Sequence, residues 1–187
     1  MYVSLPIEWI LPVSIAPVRF YHLPMRLKLQ TINPALITTL KFVYDRLAAT
    51  DIEWVLTGST AFAAQGLPFS PADIDIQTTE SGAYAFGKLM ADFEVTPVYP
   101  RRDSPIIRSY FGSFDVHGVI VEVMGDMQKR KPDSDWEPAP NLSEVSKYID
   151  YRGMRLPVFS LTYEAQSYRM MQRIEKANLL AAYATQT

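Results

Sequence analysis

Asp73 and Asp75 stand one residue apart in Asp73-Ile74-Asp75-Ile76, and their spacing points to chemistry. In an extended segment alternate side chains share a face. Both carboxylates and Gln77 therefore point one way, while Ile74 and Ile76 point the other, into a core. Two like charges on one face repel unless solvent or a cation lies between them. A hard divalent ion such as magnesium suits them, held by one or two carboxylates together with substrate phosphates. A third acid, Glu122, interrupts an apolar run in which Val119, Val121 and Val123 share the opposite face. Setting that strand beside residues 73–77 would make a three-carboxylate cluster. Gly58-Ser59 supplies the complementary half: a strand ending in glycine and opening a helix offers unpaired amides and a positive helix end to a phosphate. Each feature alone is common as a turn or a solvated edge. Together they describe phosphoryl or nucleotidyl transfer.

The elements that must position these residues are legible around them. Asn33-Pro34 is a capping residue followed by proline at the first helical position, and Leu36, Leu40, Val43 and Leu47 continue at helical spacing to Ala49. Residues 52–56 read as a strand stopping at Gly58, 59–65 as a short helix, and 73–77 as a strand. A helix over 80–93 would bury Tyr84, Leu89 and Phe93. Residues 106–116 and 118–124 form a hairpin about His117-Gly118. Residues 126–147, with Lys129-Arg130-Lys131 followed by Asp133, Asp135 and Glu137, read as a long mixed-charge surface excursion. A strand over 155–159 precedes a helix capped by Ser160 and running to about Ala182. The order predicts an α/β (α+β) fold, a mixed β-sheet flanked by helices.

Composition narrows the chemistry further. The 187 residues carry 18 basic and 20 acidic side chains, a net charge of −2, which disfavours a basic nucleic-acid coat. The absence of cysteine excludes disulfides, thiolate metal centres and cysteine nucleophiles, and two histidines, His22 and His117, leave no histidine-rich metal cage. Residues 1–30 read as an extended arm before one domain over 31–187. Pro6, Pro12 and Pro17 argue against a membrane span there, and the arm is a candidate for self-association. A cytoplasmic protein is expected.

Thr57-Gly58-Ser59, the paired acids at Asp73 and Asp75, and a downstream strand acid resemble the signature of the polymerase-beta-like nucleotidyltransferase superfamily. The likeness is strongest to its small stand-alone members and covers about residues 34–125. It implies that Gly58 and Ser59 hold nucleotide phosphates and that Asp73 and Asp75 bind two magnesium ions. Glu122 would complete the metal site or take a proton from the acceptor hydroxyl. It also implies a basic side chain from a late helix on the phosphates, for which Arg169, Arg173 and Lys176 are candidates; salt bridges to Glu164 or Glu175 are the alternative. Many relatives carry arginine and threonine in the loop where this chain has Phe69 and Pro71. The implied activity moves a nucleoside monophosphate from a nucleoside triphosphate, ATP among them, to an acceptor hydroxyl with release of pyrophosphate. A small molecule, an RNA and a protein all remain open as acceptor. The alternative is a catalytically inactive nucleotide-binding or protein-interaction module on the same fold.

Overall fold

The computed structural model describes residues 32–185; the expected arm over 1–30 lies outside the described residues. Asn33 opens the fold as its sequence implies. Its Oδ1 accepts from the Ala35 amide at 3.0 Å, and α1 runs Pro34–Ala48 with Leu36, Leu40, Val43 and Leu47 buried. The chain continues through β1 (Trp54–Thr57), α2 (Gly58–Ala64), β2 (Ile74–Thr78) and α3 (Glu80–Leu89), followed by a 3-10 turn over Ala91–Phe93. Next come β3 (Glu94–Arg101), β4 (Ile107–Val116), β5 (Val119–Lys129), α4 (Leu142–Val145), β6 (Ser146–Tyr151) and β7 (Met154–Phe159). Helices α5 (Leu161–Met170) and α6 (Ile174–Ala184) close the described chain.

The seven strands form one mixed sheet in the order β3-β4-β5-β2-β1-β7-β6. β2 is antiparallel to β1 and parallel to β5, with Asp75 opposite Thr57 on one side and Glu122 on the other. Ile74, Ile76, Val121 and Val123 thus face a core shared with α1 and α3, while Asp75 and Glu122 share the opposite face. α2, α5 and α6 build a second core around Phe62, Ala165, Tyr168 and Leu180. None of the described helices is long and apolar enough to cross a membrane.

Several expectations need correction. Tyr84 is exposed; α3 buries Gly82, Ala83 and Phe86 instead, with Met90 just beyond, a face rotated from the one expected. The single helix over 160–182 is two helices, broken where Gln172 takes a φ of +59°. The surface excursion starts later than expected, because β5 runs on to Lys129, which is buried. Between Arg108 and Tyr110 on β4 the β5 register gains a residue, and Asp126 adopts a φ of +42°. That bulge turns Met127 and Lys129 onto the face that carries Glu122 and Met124. Strands β3 and β6, both at sheet edges, are additions to the predicted set.

Candidate active site

The turn from β1 into α2 is built around a contact that tolerates only glycine. Gly58 has a φ of +66°, and a Cβ there would lie 1.9 Å from Asp75 Oδ2. The Asp75 carboxylate therefore sits directly against the start of α2, where backbone amides are free of helical partners. Ser59 Oγ lies 3.4 Å from Asp73 Oδ1, and the Thr60 hydroxyl donates to the Asp73 carbonyl, so the two aspartates and the turn form one unit.

Burial and like charge dominate the electrostatics. The Asp75 carboxyl is pushed up to about 7, first by burial and then by Asp73, Glu122 and Glu164; Lys176 pulls the other way. Glu122 is also raised, by burial and by Asp73, with Arg101 opposing. The three predicted acids are thus neighbours that feel one another. Among the described residues, however, no three His, Asp or Glu side chains are placed so that they could hold a metal ion by themselves. The donor set fits a hard divalent ion that brings its own oxygen ligands, such as phosphates and water, and does not fit a closed protein cage.

The basic candidates separate in space. Lys176 on α6 lies over the rings of Tyr168, Phe62 and Phe69, at 4.5, 5.2 and 5.3 Å, within electrostatic reach of Glu164, Asp75 and Asp73. Phe69, in the loop where many relatives carry arginine, thus forms part of the platform beneath this ammonium. Arg173, at the α5–α6 break, lines a cavity of about 180 Å³ with Thr57, Gly58, Asp75, Glu164 and Tyr168. Arg169 is exposed, bonds Asn178 Oδ1 at 3.0 Å, and is not among the residues lining that cavity. The structure therefore brings Gly58, Ser59, Asp73, Asp75, Glu122, Arg173 and Lys176 together and leaves Arg169 outside.

Glu164 was treated in the sequence only as a surface salt-bridge partner, and the structure places it inside. It is 3% exposed, accepts from the Thr57 hydroxyl and the Gly58 amide, and braces the turn from behind. Burial raises its pKa, while those bonds, Lys129 and Lys176 oppose the rise. A signal existed: Leu161, Glu164, Ala165 and Tyr168 fall at helical spacing, an acid on an apolar face.

A mixed sheet with paired acids at the start of a central strand, beside a glycine turn that opens a helix, defines a small nucleotidyltransferase fold. Residues 39–179 match the model of the aminoglycoside-2''-adenylyltransferase family, and the chain belongs to that family. A provisionally assigned nucleotidyltransferase from Thermotoga maritima is 38% identical, with a TM-score of 0.72 over 84% of this chain and 97% of its own. The lincosamide antibiotic adenylyltransferase LnuA bound to lincomycin is similar at 10% identity and a TM-score of 0.48, covering 79% of this chain and 97% of that one. ANT(2'')-Ia in complex with adenylyl-2''-tobramycin is similar at 13% identity and 0.46, covering 81% and 98%. No curated protein sequence matches. The chain is a nucleotidyltransferase by family and fold.

Proposed function

We propose that the chain transfers a nucleoside monophosphate from a magnesium-bound nucleoside triphosphate to an acceptor hydroxyl, releasing pyrophosphate. The observation that supports this most is the packing of Asp75 against Gly58, beside Asp73 and Glu122. It gathers negative charge at a helix start, where phosphates and cations are otherwise accommodated together. The family description supports ATP as the donor and a small hydroxyl-bearing molecule as the acceptor.

Asp73 and Asp75 would hold the metal, two ions being the expected number, with Glu122 as a further ligand or the base. Magnesium, when bound, offsets the charge of the phosphates and of the departing pyrophosphate. The Gly58 amide is engaged by Glu164, so Gly58 serves through close backbone approach and the amide and hydroxyl of Ser59 are left to position phosphate. Lys176 and Arg173 neutralise the leaving group. Arg169 reaches the site only indirectly, through Asn178 and the seating of α6 on α5. As the acceptor oxygen bonds to the α-phosphorus, its proton passes to the Glu122 carboxylate. The bond from the α-phosphorus to the bridging oxygen breaks, and that electron pair leaves with pyrophosphate. A carboxylate of raised pKa is a better base for this step than an unperturbed one.

Calorimetric titration of each nucleoside triphosphate, with and without magnesium, into wild type and an Asp73→Asn/Asp75→Asn variant tests the reading. Magnesium-dependent ATP binding that disappears in the variant is expected. Magnesium-independent binding that survives the substitutions would make the chain a nucleotide-binding module, and binding in no combination would overturn the reading.

A further inference from the structure

A second cavity adjoins the one against the carboxylates and shares Met127 and Lys129 with it. It measures about 350 Å³, within the range of small-molecule sites. Its walls are largely apolar: Met127 from β5, Pro138 and Pro140 from the following segment, Val145 from α4, and Tyr163 and Met170 from α5. The stretch expected to be a surface excursion thus supplies an outer wall.

Lys129 lines this cavity and also the smaller one that holds Asp75 and Gly58. It is 6% exposed. Among the described residues its ammonium is in no ion pair, and its side-chain hydrogen bonds are long ones to the Tyr163 hydroxyl, 3.4 Å, and Ser167 Oγ, 3.3 Å. Glu164 attracts it only from beyond ion-pair distance, and burial lowers its pKa. Burying an ammonium without a close counter-ion is costly, and an anionic group seated in the cavity would remove that cost. The exposed carboxylates of Glu137 and Glu144 line the same cavity, and Glu144 already accepts from Asn141 Nδ2 at 2.9 Å. They would repel a second anion placed toward the opening.

We propose that this cavity is a ligand site, separate from the catalytic carboxylates, for a small molecule with an apolar body and one anionic group, the anion lying on Lys129. The site uses none of the residues that would hold metal or position phosphate, so it stands whether or not the chain transfers nucleotides.

The probe is 1-naphthoate, compared with the neutral 1-naphthamide, titrated into the full chain by calorimetry. The expected result is that the carboxylate binds at least tenfold more tightly than the amide, and that Lys129→Met removes the difference. Lys129→Met exchanges a buried charge for an apolar chain of similar length, so loss of fold is not expected. Met170→Trp, which fills the cavity from α5, should abolish binding of both probes while Lys129 is intact. Asp75→Asn should leave both affinities unchanged. Equal affinities for carboxylate and amide, or no binding of either, would overturn the proposal. So would displacement of naphthoate by magnesium-ATP, because Lys129 would then be serving the nucleotide's phosphates.

Discussion

Replacing Gly58 by alanine tests how closely the turn and Asp75 are fitted. Two costs can be worked out separately. The first is conformational: at a φ of +66° an L-residue pays about 1–2 kcal/mol relative to glycine, which lowers Tm by roughly 2–8 °C in a chain of this size. The second is steric: the new Cβ would lie 1.9 Å from Asp75 Oδ2, where ordinary contact begins near 3.4 Å, so the carboxylate must retreat by about 1.5 Å. Misplacement of a catalytic group by about 1 Å can cost on the order of 100-fold in rate. Gly66→Ala is the control, because Gly66 has a φ of +88° with nothing within 4 Å of its added Cβ. Both variants should lose stability, followed by thermal denaturation, and only Gly58→Ala should lose adenylyl transfer, followed by pyrophosphate release. If Gly58→Ala turns over within threefold of Gly66→Ala, the close fit of Asp75 to the turn has no catalytic role.

Three further outcomes are expected. Asp75→Asn should abolish transfer yet stabilise the metal-free protein at pH 8 by at most about 4 kcal/mol, because an acid raised from 3.8 to about 7 penalises the fold increasingly as pH climbs between those values; the two proteins should converge in urea denaturation below pH 4. Lys176→Met should weaken ATP binding by about tenfold in calorimetry, an amount in keeping with one lost charge-assisted contact, whereas Arg169→Met should leave it within about twofold. Glu164→Ala, which strands the Thr57 hydroxyl and the Gly58 amide, should cost about 2–4 kcal/mol in urea denaturation, and Glu164→Gln, which keeps an accepting oxygen, should cost less.

The elements that position the site were the most legible because each is buried on at least one face. The capped start of α1, the alternation in β2 and the apolar run of β5 all carry strong periodic signals, and the His117-Gly118 hairpin is a turn with φ values of +57° and +82°. β3 and β6 left little trace for the opposite reason. Both are edge strands with few buried side chains, and β3 contains Pro97 and Pro100, which an edge tolerates and a central strand does not. The α5–α6 break carried no glycine or proline to announce it; Gln172 takes the left-handed turn itself, so Arg169 and Lys176 lie on two helices where one was expected. Glu164 and Lys129 were misplaced because charged residues are usually exposed, and only the tertiary fold, through a bulge in β5 and the packing of α5, turns these two inward.

The same inward charges bear on why the site is built at a cost to the fold. Asp75 is pushed upward by burial and by three other acids, while Lys176, which opposes them, has its own ammonium disfavoured by burial. A strand end has no structural need for such a group, and an amide or an apolar side chain would pack there with less penalty. Glu164 differs in this respect, since its carboxylate holds the Thr57 hydroxyl and the Gly58 amide and so repays part of its own burial. Asp73 and Glu122 repay none of the cost to Asp75; they add to it. Lys176 offsets only part of the charge gathered at this end of β2, so a cation joining the carboxylates would relieve the repulsion that remains, while Glu164 braces the turn against which Asp75 packs.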